Sequence, residues 1–312
     1  MRTVPDPAKS RQILTRRFAA ARTWLLTSTR ANTPAADVWD RIGVVSALMV
    51  FGMMASLLLR IQPINLEYRA LGSPVSISIT ATTLMAGFLA LLAAVSAESV
   101  LRTHPVFHRL PTLAGMRVTW MYWGLPAAMA VITTMLLPLA PSRLIQVLAL
   151  LFAGLLFAGT FSLLHGTVEK GRSGFRRSRI LLNVLAYGAA LLLFLLVYQT
   201  RTRSLLSGSL VALTSVLLAV ELLRSNAARP SQVFMYGTIT GVILGQATWA
   251  LNYWLLPGLT GGLLLTLIFY LIVGVAQQGL QTGLNRRVLI EFGVFTIFAL
   301  ILIAVVGPGF QG

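Results

Sequence analysis

Apolar runs of 18 or more residues recur along this chain, and no other sequence feature limits its fold so strongly. Wound as a helix, a run of that length crosses the roughly 30 Å hydrocarbon core of a bilayer. No water reaches backbone amides and carbonyls there, so a crossing segment must satisfy its own, as a helix does. Only 11% of the residues are charged and 56% are hydrophobic, with a mean hydropathy of +0.81. A soluble domain carries about 25% charged residues. The expected fold is therefore all-α, a polytopic transmembrane helical bundle of about nine spans. They read as 42–59, 75–97, 118–137, 144–164, 180–198, 205–223, 237–257 (begun near Val233), 259–276 and 288–306. The segment 62–73 is a connection broken by Pro63, Gly72 and Pro74. Ser76, Thr80 and Thr83 share one side of the second span, where hydroxyls can bond backbone or a neighbouring helix. In the third, Trp120 and Trp123 suit a membrane interface and Pro126 suits a kink.

The cations follow this layout. With the N-terminus inside, Arg60, Arg69, Arg143, Arg201 and Arg203 fall outside, and the other 20 of the 25 Lys and Arg fall on the cytoplasmic side. That bias follows the positive-inside rule and predicts a C-terminus on the opposite side. A net charge of +17 would also suit a nucleic-acid binder, but cations placed by membrane topology argue against one, and no nucleic-acid partner is expected. The chain reads as two parts: a basic cytoplasmic leader, 1–40, and a transmembrane domain, 41–312. In the leader, 10–26 places Leu14, Phe18, Ala21 and Leu25 at helical spacing among Arg11, Arg16, Arg17 and Arg22. That suits an amphipathic helix lying on anionic headgroups. An organelle transit peptide shares the pattern, although Asp6, Asp37 and Asp40 dilute it. The expected location is a bacterial cytoplasmic (inner) membrane. Spans three to five and seven to nine share a Leu-Leu-Pro, apolar-run, Arg-rich order consistent with a parallel repeat, although Leu-rich spans joined by Arg-rich turns also resemble one another without one.

Within the seventh run, Gly237, Gly241 and Gly245 fall every fourth residue, making one side of a helix a seam that a neighbour can approach closely. The amides Gln246, Asn252, Gln277 and Gln278 need partners in lipid, and form a candidate polar pocket between the seventh and eighth spans. Asn183 is a further amide of the same kind. Three acids lie near the predicted cytoplasmic ends of their spans, each with a base at i±3 or i±4: Glu98 with Arg102, Glu221 with Arg224, and Glu291 with Arg287. They read as interfacial ion pairs. His104 and His108 have two-ligand spacing, but Pro105 lies between them and no third ligand follows, so no metal site is expected; His165 stands alone.

The exclusions are broader than the candidates. No aspartate follows Asp40, which removes the acid-rich sites that hold magnesium diphosphates. There is no phosphate-binding GxxxxGK[ST], no HExxH and no GxSxG. Cysteine is absent, and neither Lys9 nor Lys170 lies within a span to form a Schiff base. No cofactor and no catalytic residue is expected, and an enzyme is disfavoured. Two functions fit: a non-catalytic structural or accessory subunit of a larger membrane complex, or a permease for a small or lipid-like substrate. The partners expected are the lipid bilayer and, for the first, other membrane subunits.

Overall fold

The computed structural model describes residues 34–59, 61–70, 73–108, 111–169, 171, 174–199, 204–225, 229–254, 256–281 and 286–306. The amphipathic helix expected at 10–26 lies outside these residues. Two compact units divide the chain, Met1–Arg41 and Ile42–Gly312; of the first, residues 34–41 are described and open a helix.

The longer helices are α1 (Pro34–Leu58), α2 (Ala81–Leu101), α3 (Gly124–Leu136), α4 (Arg143–Gly166), α5 (Phe175–Gln199), α6 (Ser204–Leu223), α7 (Pro230–Tyr253), α8 (Gly258–Gln281) and α9 (Arg286–Val306). Six segments are long and apolar enough to cross a membrane: Asp37–Leu58, Ala81–Leu101, Trp120–Leu139, Arg143–Gly166, Phe175–Gln199 and Gly258–Gln281. Stretches in α6 and α9, Ser207–Leu223 and Ile290–Ile303, are apolar but shorter. The 24-residue α7 is not among the six, because glycine, threonine, Gln246 and Asn252 dilute its apolar run.

Two elements depart from the sequence reading. Residues Ile64–Ala70 (β1) and Ser73–Ile79 (β2) form an antiparallel hairpin, in register from Ile64 opposite Ile79 to Ala70 opposite Ser73. The expectation was a connection followed by a helix from Val75. SPVSISI alternates polar and apolar residues, the two-residue period of a strand. Summing hydropathy along the chain hides that alternation. Ser76 thus belongs to a strand, and α2 starts only at Ala81. Thr80 and Thr83 form its capping box: the Thr83 amide donates to Thr80 Oγ1 at 3.2 Å, and the Thr80 amide to Thr83 Oγ1 at 2.8 Å.

The third span is also interrupted. A short helix, Thr112–Thr119, runs into a 3₁₀ turn, Trp120–Tyr122, before α3 begins. Pro126 lies in the first turn of α3, where a missing N–H costs no hydrogen bond, so it produces no mid-helix kink. The break lets α3 approach α6 closely. A Cβ on Gly124 would come within 2.5 Å of the Leu217 carbonyl oxygen.

The core lies around α6, which packs against α3, α5, α7 and α8. Leu218, Ala219, Leu222 and Leu223 on it are wholly enclosed. Helix α9 rests on α8, with the Phe292 ring seated where Gly274 leaves room and Phe295 against Tyr270. Outward faces of α1, α2, α4, α7 and α9 carry exposed large apolar residues such as Phe51, Phe88, Phe152, Ile243 and Phe298. Those faces suit lipid, the environment that makes an apolar exterior stable.

Candidate functional site

The strongest polar chemistry in the bundle collects at one end, around the C-terminus of α6. A helix leaves its last four carbonyls without partners inside the helix, and its dipole adds about half a negative charge there. Here two other helices supply the donors. Arg179, on α5, donates through Nη2 to the carbonyls of Glu221 and Leu222, both at 2.7 Å. Gln277, near the end of α8, donates to the Leu222 carbonyl at 3.1 Å.

Glu221 is 0% exposed and joins this cap to a buried ion network. Its Oε1 meets Arg179 Nη1 at 3.0 Å and Arg224 Nη2 at 2.8 Å; its Oε2 accepts from Arg224 Nε at 2.9 Å. The same Arg224 Nη2 donates to the Thr167 hydroxyl at 3.0 Å, and the guanidinium lies 3.9 Å over the Tyr122 ring. Two guanidiniums face one carboxylate, and the α6 dipole offsets about half of the positive charge left over. Burial pulls the pKa of Arg224 down, but Glu221 and Tyr122 outweigh burial and hold it above its ordinary value. Arg224 is therefore a permanent cation.

Two smaller clusters adjoin. Glu98 accepts from Arg102 Nε at 2.7 Å and from the Trp123 indole at 3.2 Å. His104, 3% exposed, lies edge-on to His165 with centroids 5.0 Å apart, and its Nε2 is 3.9 Å from Glu169. His104 therefore finds its ring partner at the end of α4; the His108 side chain lies outside the described residues. Among the described residues no group of three His, Cys, Asp or Glu could hold a metal ion.

Gly237, Gly241 and Gly245 face α6. A Cβ on Gly241 would meet the Ala212 carbonyl oxygen at 2.6 Å, and one on Gly237 the Val220 side chain at 3.1 Å. At Gly245 the approach is reciprocal: its Cβ would lie 3.2 Å from the Gly208 carbonyl oxygen, and one on Gly208 would lie 3.3 Å from that of Gly245. Backbone meets backbone there, as small residues in a membrane helix allow.

The polar pocket expected from Gln246, Asn252, Gln277 and Gln278 does not assemble. Asn252 donates to Ser207 Oγ at 2.8 Å, whereas Gln277 reaches Leu222. These contacts lie at opposite ends of α6, about 22 Å apart at 1.5 Å per residue. Gln246 points to the outer surface of α7, and Gln278 is half-buried on α8. The antiparallel course of α7 and α8 sets this separation. Glu291 is exposed on α9, and the Arg287 side chain lies outside the described residues.

The span expected from 180 leaves Arg179 just outside it, yet Arg179 lies on the buried stripe of α5 with Leu182, Ala186, Ala190 and Leu193. Tyr198 closes the same stripe. Its hydroxyl donates to the Leu251 carbonyl at 3.1 Å, with that of Trp254 at 3.3 Å, and so caps the C-terminus of α7 at the far end of the bundle. A cation or phenol in phase with buried alanines and leucines was the available signal.

Taken together, the apolar helices and the polar caps at their ends define an integral membrane protein of helical type. Residues 61–306 match the family described as a protein of unknown function, DUF5656, and the chain belongs to that family. The matched region holds the hairpin, the ion network and the glycine seam. No curated protein and no solved structure matches the chain.

Proposed function

We propose that this chain is a non-catalytic structural subunit of a larger membrane assembly. The observation that carries this reading is the double occupation of Glu221. A carboxylate held by two guanidiniums, one of them also capping a helix, is committed to joining helices; it is neither a free base nor a nucleophile. Asn252 and Gln277 are likewise engaged between helices. A permease would call for those amides to converge, and their separation weighs against that alternative.

The proposed setting is a bacterial cytoplasmic membrane, crossed about nine times, with the N-terminus and the Glu221 network on the cytoplasmic side. The arrangement of 20 cations on that side against five on the other supports this orientation. The leader rests on anionic headgroups, and the apolar outer faces meet lipid and partner subunits. The test is native mass spectrometry of the protein drawn gently from its own membranes. Stoichiometric partner chains are expected; a lone monomer or homo-oligomer overturns the proposal.

A further inference from the structure

Between α7 and α8 an apolar groove of about 360 Å³ opens on the outer surface of the bundle. Tyr236, Ile239 and Ile243 form one wall; Leu271, Val275 and Gly279 form the other. It occupies the half of both helices nearest the arginine-bearing end, since α7 begins at Pro230 and α8 finishes at Gln281. The geometry points to a site for one acyl chain of an anionic phospholipid, with the headgroup held at that end of the bundle.

Size selects the chain. A helix about 10 Å across fills 360 Å³ in roughly one turn, so the groove cannot seat a partner helix along its length. A polymethylene chain, whose carbons pack at about 3.5–4.0 Å from their neighbours, fits between two walls of branched aliphatic residues. Small residues make the gap. Gly279 offers no side chain to fill it, whereas the glycine seam of α7 is already occupied by α6.

Charge selects the headgroup. Arg229 precedes the first turn of α7, and Arg286 opens α9 just beyond the end of α8; both are exposed. Arg229 lies seven residues before the lining Tyr236 and Arg286 seven after the lining Gly279, a spacing that in this proposal brings both to the headgroup level, and no acid lies between Arg229 and Arg286. Tyr236, nearest that end, is an amphipathic ring suited to the headgroup level. The orientation proposed above decides only which leaflet supplies the lipid.

The test is native mass spectrometry of the full chain released from nanodiscs holding equal amounts of phosphatidylglycerol and phosphatidylethanolamine. One retained phosphatidylglycerol per chain is expected, at least about tenfold over phosphatidylethanolamine. Arg229→Gln and Arg286→Gln should each lower that adduct about fivefold without changing the unfolding temperature. The double variant Ile243→Phe, Val275→Phe should lose the adduct of both lipids. Equal retention of the two lipids overturns the proposal, as does an adduct that survives filling of the groove. So does release of a second protein chain in place of lipid. If the filled variant fails to fold, undiminished phosphatidylglycerol on the two arginine variants overturns it. The lipid adducts leave the subunit proposal untouched, since that proposal is decided by partner chains retained from the native membrane.

Discussion

The two ends of the bundle solve one problem with different chemistry. At one end the C-terminus of α6 is closed from α5 by Arg179, and the charge this brings is balanced by Glu221 and shared with Arg224. At the other the C-terminus of α7 is closed, again from α5, by the neutral hydroxyl of Tyr198, with Asn252 bonded to Ser207 beside it. In both places orphan carbonyls gain donors from a neighbouring helix rather than from water. The difference is in dependence. The charged cap is complete only with all its members, because losing one leaves a buried ion uncompensated. The neutral cap can lose a member and lose only a hydrogen bond.

That contrast orders the expected effects. Glu221→Leu should be the most damaging change, costing about 3–5 kcal/mol because two guanidiniums are left facing apolar surroundings. The unfolding free energy in detergent measures it, and a loss below 1 kcal/mol would show the charged cap to be no more interdependent than the neutral one. Converting Arg179, Glu221 and Arg224 together to Met, Leu and Met should recover part of the loss. Recovery stays incomplete because the carbonyl of residue 221 loses its donor and that of Leu222 keeps only Gln277.

Gly241→Leu comes next. It acts between the two ends, forcing α7 off α6 at the Ala212 carbonyl, and should cost about 1–3 kcal/mol. Cross-linking between cysteines placed on α6 and α7 would report the displacement, and unchanged cross-linking would mean the seam yields without strain. At the neutral end Tyr198→Phe should cost about 1 kcal/mol, read from the same unfolding curves. Asn252→Ala should cost about 0.6 kcal/mol, the usual size of a hydrogen bond between membrane helices. A double-mutant cycle with Ser207→Ala checks that value. A coupling as large as that between Arg179 and Glu221 would abolish the contrast.

Much of the helical layout could be read from the apolar runs, because lipid leaves a long uncharged segment few alternatives. What was lost was lost for identifiable reasons. The hairpin disappeared because hydropathy summed over a window treats SPVSISI as apolar and ignores its period. Helical spacing places Glu221 beside Arg224 whatever surrounds the helix, but it is silent on Arg179, 42 residues away in sequence. The supposed amide pocket ignored direction. Helices that run oppositely carry Asn252, near the end of α7, and Gln277, near the end of α8, to opposite ends of the bundle.

The two caps on α5 also act as a gauge. Arg179 and Tyr198 lie about 28 Å apart along one helix at 1.5 Å per residue, close to the roughly 30 Å of a typical hydrocarbon core. Between them the buried stripe of α5 is apolar apart from half-buried Asn183 and Tyr187. The bundle therefore has a built-in hydrophobic length, pinned at each limit by a polar group that also closes another helix. A bilayer that departs from it must thin, thicken or tilt the protein, at a cost that grows with each ångström of mismatch. Membrane thickness is thus an environmental variable to which both ends respond together.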